Sequence, residues 1–277
     1  MKKIITIGLA SVTLLVASCS TSVVPLTGRK VTTFGVSAAE LEQQAGAAYA
    51  QFLSDPKTKV VTNSADAQRV KQVGAKIASA VTKYMNDNGY GEQIKGFKWE
   101  FNLVESPEIN AWCMPGGKVA VYTGILKVTQ NEAGLATVMG HEVAHAIAQH
   151  SAERASKMMA AQLAGQLGGA AVGAVTGARS EAAQAVFGEI YGFGAQAGYI
   201  LPNSRGQELE ADRLGLSFMA MAGYDPQTAV AFWQRMAAAG EGSSKPPEFL
   251  STHPADQTRI SRIQNDMPEA LKYYTKR

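Results

Sequence analysis

The amino-acid sequence predicts an α+β fold that is mostly helical and carries a small β-sheet. Apolar residues recur at helical spacing over much of the chain, whereas positions 97 to 123 show the alternation and turns of β-strands. Of the 277 residues, 46% are hydrophobic and 18% are charged, which is ordinary for a globular protein. A chain of this length can bury a substantial core in one large domain.

The first 36 residues have the pattern of a lipoprotein leader. Two lysines at positions 2 and 3 precede an apolar run from 4 to 17, which is too short to span a membrane comfortably. The run ends in Val-Ala-Ser-Cys, which resembles a bacterial lipobox and predicts cleavage before Cys19. We therefore expect a signal peptide over 1–18, then a lipidated N-terminus and tether over 19–36. A plain secretory peptide cut nearby is the alternative.

A lipidated Cys19 would anchor the protein to a membrane through several acyl chains. Ser20 stands where an aspartate would resemble an inner-membrane retention signal, so we expect an outer-membrane lipoprotein that faces the periplasm. Cys113 would then have no partner, and no intrachain disulfide is predicted. The formal net charge is only +3, and no basic stripe indicates binding to nucleic acid.

Residues 37–277 form the predicted domain, which begins with two helices. Ser37 and Glu40 match a capping box ahead of the first helix, and a second apolar face runs from Asp66 to Tyr84. Apolar side chains at 97, 99, 101 and 103 alternate with polar ones and predict a half-buried strand. A β-hairpin is predicted next, with strands at 110–114 and 119–123 and a Pro-Gly-Gly-Lys turn.

The following segment contains a pattern that indicates a metal site. His141, Glu142 and His145 form H-E-x-x-H, and residues four apart lie on one face of a helix. Both histidine rings can therefore reach one ion, while Glu142 lies beside it and can take a proton from the attacking water. A capping box predicted to begin at Thr129 supports the helix. Histidines of an ordinary helix are the alternative.

A catalytic zinc site usually has three protein ligands, so a third must come from another element. Carboxylates cluster between Asn203 and Asp212, ahead of a helix predicted over 211–222. Glu208 and Asp212 are four residues apart and share a face, whereas Glu210 points away from it. One zinc ion per chain is the predicted cofactor.

H-E-x-x-H followed about sixty residues later by S-R-x-x-E-x-E-A-D resembles the HtpX/CAAX-prenyl-protease family of zinc metallopeptidases, within the gluzincin group. The resemblance covers roughly Ser37 to Met267. It implies that Glu208 is the third zinc ligand beside the two histidines. It also implies that Asp212 accepts a hydrogen bond from a ligating imidazole. The expected fold is a zincin-like metallopeptidase domain, with the sheet over the active-site helix.

The resemblance extends to two further segments. N-A-x-x-x-P-G-G, which begins at Asn110 and Ala111, would form the sheet edge that binds an extended peptide; a hairpin without a ligand is the alternative. T-H-P-x-x-x-x-R-I contains His253 and Arg259. His253 could be structural, could stabilise the oxyanion, or could occupy the fourth zinc position at rest and inhibit the enzyme.

The sequence thus predicts a membrane-tethered zinc endopeptidase that cleaves protein or peptide substrates of the bacterial envelope, misfolded ones included. The alternative is an envelope quality-control or assembly factor with chaperone-like binding and secondary proteolysis. Residues 158–200 are rich in glycine and alanine and predict a closely packed helical hairpin, which would either contact the membrane or cover the groove. No feature of the sequence indicates an oligomeric state.

Overall fold

A mixed β-sheet lies between helices, and a two-stranded hairpin precedes it in the chain. The computed structural model describes residues 19–35, 37–167, 203–240, 247–253 and 257–275. The strands are β1 (Cys19–Val23), β2 (Lys30–Phe34), β3 (Val60–Val61), β4 (Glu100–Val104), β5 (Ala111–Met114) and β6 (Lys118–Tyr122). The helices are α1 (Ala38–Ser54), α2 (Ala65–Asp87), α3 (Leu126–Thr129), α4 (Glu132–Ile147), α5 (His150–Leu167), α6 (Arg205–Met221), α7 (Thr228–Gly240), α8 (Glu248–Thr252) and α9 (Gln257–Leu271). The predicted α+β, mostly helical class is confirmed.

The four-stranded sheet has the order β3-β4-β6-β5, which leaves β5 at an edge. β4 and β6 run parallel, while β5 pairs antiparallel with β6 through a tight turn. Gly116 and Gly117 in this turn have φ of 77° and 80°, a region that favours glycine. A Cβ on Gly117 would also lie 2.5 Å from the Trp99 ring. The predicted Pro-Gly-Gly turn therefore joins two strands as expected.

Alternation of side chains along the strands gives the sheet two buried faces. The face toward α2 and α4 carries Phe101, Leu103, Ala111, Val119 and Val121. The opposite face, toward α1, carries Val104, Trp112, Met114, Ala120 and Tyr122. Tyr49 of α1 donates a hydrogen bond from its hydroxyl to Val119 O at 2.6 Å, so α1 is fixed to the sheet by a polar contact as well as by packing.

The helix boundaries follow their capping residues. Ser37 and Glu40 form the predicted capping box of α1, with each side chain bonded to the other's backbone N–H. Thr129 is not the cap of the active-site helix: it is buried at the end of α3, and Asn131 caps α4 by accepting from Gly134 N. Helix α6 begins six residues before the predicted 211, because Ser204 and Gln207 form a second capping box.

A β-hairpin occupies residues 19–34, where the sequence predicted a lipidated N-terminus and short tether over 19–36. β1 and β2 pair antiparallel over five residues each, and Val24 and Val31 are buried in the main core. Phe34 N donates to Ser156 Oγ at 2.8 Å, and Ser22 Oγ donates to Gln149 Oε1 at 3.2 Å. Buried apolar side chains and bonds to α5 and to Gln149 just before it therefore attach this hairpin to the domain, and β1 begins at Cys19 itself.

The predicted helical hairpin over 158–200 falls largely outside the described residues, which stop at 167 in this region. Within the part of the chain that is described, no helix combines the length and the apolar character needed to cross a membrane.

Candidate metal centre

Four side chains from three segments converge at the crossing of α4 and α6. His141 and His145 come from α4, Glu208 comes from α6, and His253 directly follows α8. One ligand atom from each lies within 4.8 Å of all the others, and all four side chains are buried. The structure thus brings the three predicted ligands together and adds His253 to them.

The spacing and chemistry of these atoms fit a zinc ion. His141 Nε2 lies 3.0 Å from His145 Nε2 and 3.2 Å from His253 Nδ1, and Glu208 Oε1 lies 3.3 Å from His145 Nε2. Ligand atoms around a tetrahedral zinc at about 2.0–2.2 Å lie roughly 3.3–3.6 Å apart. Imidazole nitrogens and one carboxylate oxygen are also the ligand types of catalytic zinc. Their convergence in a buried space therefore suits a divalent cation.

A glycine contact sets the distance between the two metal-site helices. α4 and α6 form the most extensive helix contact among the described elements, and Gly140 faces Gly215 where they cross. A Cβ on Gly215 would lie only 2.8 Å from His141 N, and one on Gly140 would lie 2.9 Å from Gly215 O. The backbones therefore approach more closely than a side chain allows, which brings Glu208 within reach of the histidines.

Asp212 and Arg259 fix the orientation of the His141 ring. Asp212 Oδ1 lies 2.9 Å from His141 Nδ1, the contact expected from the sequence. Arg259 donates to both Asp212 oxygens, at 2.5 and 2.8 Å, and its guanidinium stacks 3.7 Å from the centre of the Trp233 ring. Burial opposes ionisation of Asp212, but the Arg259 charge together with the hydrogen bonds from Arg259 and His141 outweighs burial and lowers the Asp212 pKa. A carboxylate at this position keeps the His141 Nδ1–H as donor and leaves Nε2 for the metal.

Glu142 is buried at the edge of the cluster. Burial raises the pKa of its carboxyl to about 7, and Cys113 of β5 donates a backbone hydrogen bond to it. Its Oε1 accepts no hydrogen bond from the described residues and lies 3.4 Å from His253 Nε2. A carboxylate with a free oxygen and a pKa near neutrality has the properties of a general base.

The edge of β5 lies beside Glu142. Tyr122 N donates to Asn110 O at 3.0 Å, so Asn110 directs this carbonyl inward to β6. Because antiparallel strands alternate, Ala111 and Cys113 direct their backbone groups to the outer edge. No strand pairs with that edge within the described residues. Asn110 and Ala111 are buried at this unpaired strand edge, which contacts Glu142 through Cys113, and the peptide-binding role expected of them stays a prediction.

Two residues with contacts to the centre were missed by sequence reasoning. His150 Nδ1 lies 2.7 Å from His145 Nδ1, and His150 Nε2 lies 3.0 Å from Glu210 Oε2. Glu210 does point away from the Glu208 face, as predicted, yet it reaches the metal site through His150. The five-residue spacing between His145 and His150 was the available signal, but the turn at Gln149, with φ of 56°, was not predictable from it.

Comparisons with known proteins agree with this geometry. A model of Peptidase family M48 matches residues 64–267, more than half of the chain. The chain is 39% identical over 177 residues to the mitochondrial metalloendopeptidase OMA1 of Schizosaccharomyces pombe, covering 64% of this chain and 49% of the relative. It is 34% identical over 221 residues to the Danio rerio metalloendopeptidase OMA1, covering 79% and 42%.

A bacterial relative is also similar. The chain is 35% identical over 167 residues to the beta-barrel assembly-enhancing protease of Yersinia pestis, covering 60% of this chain and 34% of the relative. The chain thus spans about half or less of the length of these curated relatives. The predicted enzyme class, a metallopeptidase, is confirmed at the level of the family. On the extent of the family match and the convergence of its metal-binding side chains, the chain belongs to peptidase family M48.

Proposed function

We propose that this protein is a zinc endopeptidase that cleaves proteins of the cell envelope, misfolded chains included. The observation that carries the proposal is the placement of Glu142 between the convergent ligand set and the unpaired edge of β5. The motif S-R-x-x-E-x-E-A-D further supports a place near the HtpX/CAAX-prenyl-protease branch of the family. The names of the relatives, an assembly-enhancing protease and metalloendopeptidases, are in keeping with such substrates.

The substrate would bind as an extra strand. An extended peptide can form main-chain hydrogen bonds with the outward N–H and C=O of Ala111 and with the outward C=O of Cys113, because these groups have the spacing of a β-ladder. Since Cys113 also donates to Glu142, this pairing places a peptide bond next to the carboxylate. Recognition through the backbone would admit many sequences, as a protease of misfolded chains requires.

Proton transfer is the task of Glu142. A zinc ion held by His141, His145 and Glu208 would polarise the peptide carbonyl and acidify the attacking water. Glu142 then takes the proton of that water and delivers it to the leaving amine. A pKa of about 7 allows the carboxylate both to accept and to release a proton near neutral pH.

His253 is proposed to close the site at rest. Its Nδ1 lies 2.9 Å from Glu208 Oε1 and 3.2 Å from His141 Nε2, while its Nε2 faces Glu142. A histidine in this position would occupy the space that a substrate carbonyl needs. The residue would then have to withdraw before a peptide could bind, so the resting enzyme would be protected from indiscriminate proteolysis.

Glu142→Gln in the detergent-purified full-length chain tests the proposal. The variant keeps the ligand set but cannot accept a proton, so casein cleavage should fall by about 10²–10⁴-fold while zinc content stays unchanged. Glu92→Gln is the matched control, because Glu92 is exposed and forms only a surface ion pair with Lys95. Full cleavage by the zinc-loaded Glu142→Gln variant would refute the mechanism.

A quality-control or assembly factor with secondary proteolysis is the second candidate, supported by the name of the Yersinia pestis relative. The two functions separate in cells that lack the protein and show an envelope-stress defect. Rescue by zinc-loaded Glu142→Gln would favour the binding role, whereas failure to rescue would favour proteolysis.

The proposed location is the outer membrane, with a lipid anchor on Cys19 and the domain facing the periplasm. Cys19→Ala should release the protein from the membrane fraction while leaving casein cleavage intact. Retention of this variant in the membrane fraction would contradict the anchor.

A further inference from the structure

We propose that the N-terminal hairpin is part of the metal centre: Arg29 and Thr27, acting through Glu210 and His150, fix the tautomer and orientation of His145. The inference rests on the zinc site of the proposed function and extends it to residues with no metal-ligating role. These four are positioning residues, since none of them is among the side chains that supply a ligand atom to the described cluster.

The chain of contacts begins at the hairpin. Thr27 Oγ1 donates to Glu210 Oε1 at 2.8 Å, and Arg29 Nε donates to Glu210 Oε2 at 2.7 Å. Arg29 Nη1 also donates to Glu153 of α5 at 3.1 Å. The hairpin therefore connects α5 to α6 and holds the Glu210 carboxylate in place, with its side chain only 9% exposed.

The next two contacts determine the tautomers. Because Glu210 is an acceptor, His150 must donate from Nε2 across the 3.0 Å contact. A neutral His150 then presents Nδ1 as an acceptor, so the 2.7 Å contact requires a proton on His145 Nδ1. That proton leaves the lone pair of His145 on Nε2, the atom that faces His141 and Glu208. A metal ligand needs this tautomer.

The two histidine ligands are thus oriented by two separate sets of contacts. His141 is held by Asp212, which lies one helical turn from Glu208 on α6. Among the described residues, the recorded contact of His145 Nδ1 is with His150 rather than with a carboxylate, and His150 is fully buried, so solvent cannot take its place. Arg29, which holds Glu210 and so His150, lies in the hairpin, more than 100 positions earlier in the chain.

Zinc affinity, measured by competition with a chelator, tests the inference without relying on peptidase activity. His150→Leu in the full-length chain removes the acceptor and should weaken zinc binding about 10–100-fold. His150→Asn restores an acceptor near the position of Nδ1 and should recover most of the affinity. The absorption spectrum of the cobalt-loaded protein should shift in His150→Leu and return toward the wild type in His150→Asn.

Arg29→Met tests the link to the hairpin. It should weaken zinc binding severalfold alone but add little in the His150→Leu background, because both changes break one chain of contacts. Tyr224→Phe is the control, since it removes a 3.2 Å bond to Glu132 at the other end of α4. It should leave zinc affinity unchanged, and the melting temperature of each metal-free variant reports any general loss of folding.

The outcomes separate this inference from the proposed function. A wild-type protein that binds no zinc would overturn the proposed function itself. A wild-type protein that binds zinc, together with a folded His150→Leu variant of equal affinity, would overturn only the positioning role. Equal losses in His150→Leu and His150→Asn would do the same, because the acceptor atom would then be irrelevant.

Discussion

Gly215→Ala tests whether the close approach of α4 and α6 determines the metal site. The added methyl would lie 2.8 Å from His141 N and 3.0 Å from the carbonyl carbon of Gly140, and neither backbone atom can rotate away. Ordinary contact begins at 3.4 Å, so the helices must separate locally by about 0.6 Å (3.4 − 2.8). Glu208, two turns earlier on α6, would move away from the histidines.

The magnitude follows from two opposing effects. Overpacking costs about 1–3 kcal/mol, and the better helix propensity of alanine offsets about 1 kcal/mol. Because the obstacle is backbone, we expect a net loss of about 1–2 kcal/mol, which corresponds to a melting temperature lower by roughly 2–8 °C. Displacement of the ligands should also lower casein cleavage by about tenfold or more.

Calorimetry and casein cleavage should be compared with Gly46→Ala in α1, where the new Cβ meets nothing within 4 Å. This control should keep its activity and gain up to about 1 kcal/mol of stability. A Gly215→Ala protein as stable and active as Gly46→Ala would refute the role assigned to the helix contact.

Three further changes give separate tests. His253→Ala should raise casein cleavage, and an equal or lower rate would reject the resting-state role. Arg259→Met should cost about 3–5 kcal/mol in urea unfolding, because Asp212 keeps a buried, unpaired charge; a loss below about 1 kcal/mol would contradict this. Although burial opposes it, bonds from His150, Arg29 and Thr27 lower the Glu210 pKa to about 2. Ionised Glu210 should therefore add about 1–2 kcal/mol, after solvent screening, to the free energy of unfolding. This contribution should be present above pH 4.5 and be lost as the pH falls toward 2. Urea unfolding of Glu210→Gln should lack this pH dependence.

Local patterns predicted the parts of the structure whose partners lie nearby in the chain. The capping box at Ser37 and the Pro-Gly-Gly turn were correct, because their hydrogen bonds and φ angles depend on a few adjacent residues. The predicted N-cap of the active-site helix was wrong, because two neighbouring residues can serve as the cap. Thr129 and Asn131 both precede the active-site helix, and burial of Thr129 in the preceding turn gives the cap to Asn131.

Contacts between distant segments were predictable only where a motif existed. H-E-x-x-H and the Glu208 segment located the metal cluster, whereas nothing in the segment from 19 to 30 indicated a hairpin docked on α5 and α6. The partners of Arg29 lie 124 and 181 positions away, so no local periodicity records them. The chain of contacts from Glu210 through His150 to His145 was not predictable for the same reason, because Glu210 lies in another helix.

The position of Arg259 in α9 has a consequence for the timing of activity during biosynthesis. Asp212 and Glu208 depend on this guanidinium as their countercharge, and it lies 47 positions after Asp212. At 5–20 residues per second, synthesis of that interval takes about 2–9 seconds. A nascent chain therefore carries both of its metal-binding helices for seconds before the guanidinium that balances their carboxylates has been synthesised.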